Sequence, residues 1–183
     1  MKKMLFVFFM IVAVHLGTMY GQVPLPVNID VGAGGGVSLP VGDLGNGVNS
    51  GYHAGAKVKI SGFMPLNLVG SGIYNRLADK VGSDATTITS ITLGLEYTIP
   101  SLVIKPYLGA DMMMNIMGST ASGSSTITRY GAGFGGGVSF PIPGMGGIDA
   151  SVKYQMLNLI GKESNEISSS QVTATVMFMF SVL

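Results

Sequence analysis

The amino-acid sequence predicts an all-β protein, an eight-stranded antiparallel up-and-down β-barrel preceded by a cleavable signal peptide. Three observations lead to this prediction. Hydrophobic residues make up 47% of the 183 residues and charged residues only 10%, whereas an average soluble domain carries about 25% charged residues. Apolar and polar residues alternate along eight segments. Clusters of turn-forming residues separate these segments.

The composition also excludes several classes of protein. After the N-terminal segment, no stretch reaches the ~18 consecutive apolar residues that a membrane-spanning helix requires. The formal net charge is +1 and the chain has no basic run, so nucleic-acid binding is unsupported. Cysteine is absent, which removes disulfides, thiolate metal ligands and thiol catalysis. The length suits a single domain.

Residues 1–21 have the features of an export signal. Lys2 and Lys3 form a positive region, and the apolar run MLFVFFMIVAVHL follows them. The run has the length usual for the core of a signal peptide and is too short to favour an uncleaved membrane anchor. We expect Sec-type export with cleavage next to Gly21 or Gln22, and a single barrel domain over residues 22–183.

Alternation with a period of two defines the predicted strands. In residues 29–39 the odd positions are apolar or small, whereas the even positions are Asp, Gly or Ser. Among regular structures, only a strand sorts residues in this way. The eight predicted strands are residues 29–39, 52–61, 68–76, 87–99, 104–116, 128–140, 148–157 and 172–180. Short connections follow the even strands and longer loops follow the odd ones, which is typical of barrels that cross an outer membrane.

The charged residues of the strands predict which face points into the lumen. With the apolar face outward, nine charges share the inward face: Asp30, Lys57, Lys59, Glu96, Lys105, Asp111, Arg129, Asp149 and Lys153. A charge facing lipid costs about 2 to 4 kcal/mol at the bilayer midplane. The exclusion of these charges from the apolar face therefore favours a membrane barrel. The near balance of signs predicts a structural network of buried ion pairs, with a solute path as the alternative.

The third predicted strand and the aromatic residues complete this assignment. In that strand we place Arg76 inward, which puts Tyr74 inward with it and Val69 and Ile73 outward. Outward aromatic residues predict a girdle at each membrane–water interface. The loop-side girdle is Tyr52, Tyr130 and Tyr154, and the turn-side girdle is Tyr97, Phe140 and Phe180.

Four segments carry a family resemblance that covers nearly the whole mature chain. They are IDVGAGGGVSLPVGD, KPYLGADMMMN, RYGAGFGGGVSFPIPG and DASVKYQMLNLIG. In these segments the chain resembles the small outer-membrane β-barrel proteins of the OmpA and OmpX type. The resemblance implies the cell outer membrane of a Gram-negative-type bacterium. It also implies outer-membrane lipid as a partner, with periplasmic chaperones and the barrel-assembly machinery during biogenesis.

No catalytic, cofactor or metal site is predicted. His53 is the only histidine after the signal segment, and we interpret it as a hydrogen-bonded member of the lumen network, because no serine with an acidic partner is evident for it. We expect a monomer, and the sequence names no partner for its loops. The leading hypothesis is a barrel with a structural or surface-interaction role. The alternatives are a narrow pore or carrier for small solutes and, from a different class, a lipid A-modifying enzyme.

Overall fold

The chain forms one closed β-barrel. The computed structural model describes residues 27–63, 65–100, 104–142 and 146–182, so the predicted signal peptide and its cleavage point lie outside the described residues. Each strand pairs antiparallel with its neighbours in sequence, and the last strand pairs with the first. The predicted eight-stranded up-and-down barrel is confirmed.

The strands and the predicted segments overlap throughout. The strands are β1 (Asn28–Val41), β2 (Gly51–Phe63), β3 (Leu66–Ala78), β4 (Ala85–Thr98), β5 (Lys105–Ser119), β6 (Ile127–Ile142), β7 (Gly146–Ile160) and β8 (Ser170–Ser181). Most observed strands extend beyond the predicted segments by a few residues, because hydrogen bonding across the closed sheet continues past the point where the alternation fades.

A short helix, α1 (Asp43–Gly47), interrupts the first loop. Gly42, directly before it, has a φ of 60°, a left-handed backbone that glycine adopts without strain. The sequence pattern predicted a loop in this segment and no helix. In the described ranges, no helix has the length and apolar character that crossing a membrane would demand.

The two ends of the barrel differ. The connections after β2, β4 and β6 are short and lie at the end where Asn28 and Ser181 also lie, which we call the turn end. The longer connections after β1, β3, β5 and β7 lie at the opposite end, which we call the loop end. Because the number of antiparallel strands is even, the first strand begins and the last strand ends at the same end of the barrel.

Side chains alternate between an apolar outer wall and a polar interior. On β4, Ile91, Leu93 and Leu95 are exposed, whereas Ser90 and Glu96 are buried.

The pairing of β6 with β7 shifts between Tyr130 and Ala132. Consistent with a bulge at this point, the consecutive residues Leu157 and Asn158 of β7 are both buried.

The predicted faces of β3 were wrong. Val69 is buried and Ile73 shares its inward parity, whereas Tyr74 and Arg76 are exposed on the outer wall. Asn75 sets the inward face. Because it is uncharged, the charge pattern that oriented the other strands did not indicate this face. Its Nδ2 donates to the backbone oxygen of Ile88 and its Oδ1 accepts from Ser38 (2.8 Å). A buried amide needs such partners, and β3 finds them only in this orientation.

An apolar cluster closes the interior beneath the loops. We call it the apolar plug, and it consists of Leu44, Val48, Leu77, Ile88, Met113, Met117 and Leu157. Leu44 comes from α1 and Val48 from the bridge that follows it, so the first loop folds onto residues of β3, β4, β5 and β7. The plug removes these apolar side chains from water at the loop end of the lumen.

The burial of the plug gives a prediction about stability. We expect Leu157→Ala to lower the free energy of unfolding by about 2 to 5 kcal/mol, because a fully buried leucine leaves a cavity in packed surroundings. Leu159→Ala, two residues along β7 on the exposed outer wall, is the matched control and should change it far less. Urea unfolding in detergent micelles, followed by circular dichroism, measures both; equal losses would contradict the plug's role.

Candidate functional site

The interior near the turn end holds a cluster of charged side chains. We call it the ionic cluster, and it consists of Lys57, Lys59, Glu96, Tyr107 and Asp149. Lys57 Nζ donates to Glu96 Oε1 (2.7 Å) and to Asp149 Oδ1 (3.2 Å). Lys59 Nζ lies 3.3 Å from Glu96 Oε2. Two ammonium groups thus face two carboxylates, and the cluster is electrically neutral.

Tyr107 lies at the centre of this cluster. It is 2% exposed, and its hydroxyl donates to Asp149 Oδ1 (2.8 Å). The ammonium groups of Lys57 and Lys59 lie 5.0 and 5.1 Å from the centroid of its ring, within the range of a cation–π interaction. Gly137 on β6 leaves room for it, since a Cβ there would lie 2.5 Å from the Tyr107 hydroxyl oxygen.

Tyr107 was not among the lumen residues that the sequence pattern predicted. It shares the parity of Lys105 and Asp111 on β5, so the alternation that placed those charges inward was sufficient to place the ring inward too. The residue type did not indicate this position, because tyrosine in a membrane barrel is expected at the outer interface.

A second ion pair joins β5 to β7. Lys153 Nζ donates to Asp111 Oδ2 (2.5 Å). Gly133 on β6 lies beside this pair, because a Cβ there would be 2.6 Å from Asp111 Oδ1. Glycine at such inward positions of β6 therefore creates the space that the charged side chains of neighbouring strands occupy.

The other three charges of the predicted network lie nearer the ends of the barrel. Asp30 and Lys105 line an open cavity at the turn end, and Asp30 Oδ1 accepts from Ser181 (2.6 Å). Arg129 has the inward parity of β6, but it pairs with the loop after β7 rather than with the lumen. Its Nε donates to Glu166 (2.7 Å) and its Nη2 to Glu163 (3.3 Å).

The cavity at the turn end has a volume of about 590 Å³. Its wall includes Asp30, Lys59, Lys105, Ser139 and Asp149, so it reaches inward to the ionic cluster. Neither the apolar plug nor His53 lines it. The cavity is thus a pocket of mixed charge that opens at one end of the barrel only.

A neutral polar layer that includes His53 contributes further interior hydrogen bonds. Ser38 Oγ donates to Asn75 Oδ1 (2.8 Å) and lies 2.9 Å from His53 Nδ1. Since the serine proton goes to Asn75, Ser38 accepts from the Nδ1–H of His53, and His53 Nε2 then accepts from Thr175 (2.9 Å). The serine proton therefore points away from the imidazole, which is the reverse of what a nucleophile and its general base require.

The outer wall carries all six residues of the predicted girdles. Tyr52, Tyr130, Tyr97, Phe140 and Phe180 are exposed, and Tyr154 contacts Phe134 on the same wall with ring centroids 5.5 Å apart.

In the part of the chain that the structure describes, no three His, Asp or Glu side chains are grouped to hold a metal ion.

Comparisons with known proteins give a shared fold. No family model and no curated protein matches the chain. Among solved structures it is similar to Neisserial surface protein A, with 21% identity over 83% of this chain and 96% of that chain and a TM-score of 0.67. The N-terminal β-barrel domain of Pseudomonas aeruginosa OprF has 16% identity over 84% of this chain and 97% of that domain, with a TM-score of 0.53. The predicted resemblance to small outer-membrane barrels is confirmed at the level of the fold.

The ionic cluster gives a prediction about charge balance. Glu96→Gln removes one of two carboxylates from a buried group that keeps both ammonium charges, and we expect it to lower the free energy of unfolding by about 3 to 5 kcal/mol. Adding Lys59→Met should recover part of that loss, because neutrality returns. Glu163→Gln, in an exposed pair with Arg129, is the control. Urea unfolding of the wild type, Glu96→Gln, Lys59→Met, the double variant and Glu163→Gln measures the coupling. Additive losses from Glu96→Gln and Lys59→Met would contradict it.

The loop after β7 gives a prediction about pH. Burial by itself would raise the pKa of the Glu166 carboxyl, but hydrogen bonds from Asn158 and Arg129 and the charge of Arg129 bring it below its ordinary value of 4.5. The contact therefore stabilises the docked loop above that pH, and the stabilisation is lost as the pH falls through the lowered pKa.

Carbon NMR of the Glu166 carboxyl and amide exchange of residues 161–169 measure this. We expect the protection of the loop amides, relative to the intrinsic exchange rate at each pH, to fall once the carboxyl protonates. In Glu166→Gln this protection should be low at every pH. A Glu166 midpoint at or above 4.5 would rule out the arrangement.

Proposed function

We propose that this protein is an integral outer-membrane barrel of a Gram-negative-type bacterium with a structural or surface-interaction role. In this proposal the outer wall anchors it in lipid and the loop end faces the outside of the cell. The lumen is filled by side chains and transports nothing. Export through residues 1–21 and insertion by the barrel-assembly machinery belong to the same proposal.

The sorting of side chains across the barrel wall carries this proposal. The outer wall is apolar, with Leu93, Phe134, Val152 and Phe178 more than half exposed. The interior holds the ion pairs and the buried amides and hydroxyls. In water such an outer wall would be a large exposed apolar surface, which soluble proteins avoid. In lipid it is the favourable arrangement, because a charge on that wall would cost several kcal/mol.

The filled interior supports an anchor rather than a pore. From the loop end, the apolar plug and the hydrogen-bonded layer around His53 lie above the ionic cluster, and Leu77, Ile88 and Leu157 are completely buried. An eight-stranded barrel has an interior just wide enough for side chains to fill. The buried Ser38–His53 pair has no acidic partner, which leaves the enzyme hypothesis without a candidate site among the described residues.

The four loops then form the surface available to partners. They are short, and two of them are tied down: α1 contributes Leu44 to the apolar plug, and the loop after β7 is held by Arg129. Rigid short loops favour contact through a preformed surface over capture by long flexible segments.

Refolding into detergent and then into phosphatidylcholine vesicles tests this proposal. We expect faster gel migration before boiling than after it, a β-type circular dichroism spectrum, and incorporation into the vesicles. In planar bilayers we expect no conductance steps above those of the protein-free bilayer, with a porin as the positive control. A soluble β-protein that ignores detergent would overturn the membrane assignment, and steady conductance would favour the narrow pore.

A further inference from the structure

The outer wall of the described strands carries a single charged side chain, that of Arg76. It is exposed, and it lies on β3 two residues before the loop-end residue Ala78. The other charges of the strands have the inward parity. This exception lies near the end of a strand, where a long side chain reaches the polar headgroup region of a bilayer.

Aromatic and hydroxyl side chains surround Arg76. The strand register places it directly between Tyr52 of β2 and Thr87 of β4, about 5 Å away on either side. Tyr74 lies two residues further from the loops on the same face and is 45% exposed, and Tyr52 is 61% exposed. We call these four residues, Tyr52, Tyr74, Arg76 and Thr87, the Arg76 surface. It presents a cation and two hydroxyl groups at one level of the wall, with Tyr74 about 7 Å further from the loops.

The guanidinium of Arg76 has no carboxylate partner within the described ranges. The ion pairs there are made by Lys57, Lys59, Arg129 and Lys153. The neighbouring loop carboxylates have other partners, since Asp79 accepts from Thr86 and Asp84 accepts from Thr120. Arg76 therefore offers up to five N–H donors to whatever covers the wall.

We propose that the Arg76 surface binds the phosphate of a phosphorylated glycolipid headgroup in the outer leaflet. A guanidinium presents a planar fork that matches phosphate with two parallel hydrogen bonds. The hydroxyls of Tyr52 and Thr87 can donate to the remaining phosphate oxygens, and the ring of Tyr74 packs on the upper part of the acyl chains. The inference rests on the proposed membrane location, because it requires this wall to face lipid with the loop end in the outer leaflet.

The test uses the full barrel in phosphatidylcholine nanodiscs that contain a small fraction of diphosphorylated lipid A or of its dephosphorylated form. Native mass spectrometry counts the glycolipid molecules that the barrel retains. We expect the wild type to retain the phosphorylated form in preference to the dephosphorylated one. Arg76→Gln should weaken that retention about tenfold, as the loss of a charge-assisted pair of hydrogen bonds implies. Arg76→Lys should fall between the two.

Lys162→Gln is the matched control, because it also removes one positive charge at the loop end. Lys162 lies in the loop after β7 and donates to Ser168 in that loop, away from the Arg76 surface. Its retention of phosphorylated lipid should equal that of the wild type. Heat-modifiable gel migration of each variant checks the barrel, and Arg76→Lys, which keeps the charge, tests the site if the glutamine variant does not fold.

The outcomes separate this inference from the proposed function. A wild-type barrel that does not enter nanodiscs would overturn both. A barrel that enters them but retains both glycolipid forms equally would overturn the inference alone. Equal retention by the wild type and Arg76→Gln, or by the wild type and Arg76→Lys, would do the same, since the guanidinium would then have no specific role.

Discussion

Pairing of buried charge is the constraint on which this barrel depends. The lumen of an eight-stranded barrel is too narrow to hydrate several charged side chains, so each charge needs an opposite one within reach. Lys57 bonds to both Glu96 and Asp149, and this single residue links β2 to β4 and to β7 across the interior. A slip of one residue in any of these strands would point its charge at the outer wall. The ionic cluster therefore helps to fix the strand register.

The interior changes character along its length, and this gradient bears on function. The open cavity at the turn end leads to paired charges, then to neutral hydrogen bonds such as that of His53, and the plug around Leu157 lies beneath the loops. Glycines such as Gly137 make this filling possible by giving up their own side-chain volume to Tyr107. Under the proposed function, a lumen closed in this way at the loop end leaves the outer wall and the loops as the surfaces that contact other molecules on that side.

Arg76 follows from the same rule as the lumen charges. A charge is stable where something satisfies it: carboxylates do so inside the barrel, and at the end of an outward strand face water or a lipid headgroup can do so. Arg129, on the inward parity, reaches two loop carboxylates, whereas Arg76 reaches none among the residues that the structure describes. The contrast between the two arginines distinguishes a structural contact from a surface that is available to a ligand.

The sequence by itself determined the strand number, the barrel and the lumen parity of the nine charges, because alternation is a local property of each strand and a charge marks its polar face. The tertiary structure decided the rest. It alone set the faces of β3, where Asn75 finds partners in Ser38 and Ile88 from other strands. It also gathered Tyr107 into the ionic cluster and folded α1 onto the plug. The physical reason is the same in each case: a polar or apolar side chain is placed by partners that are distant in sequence, and only closure of the barrel brings them together.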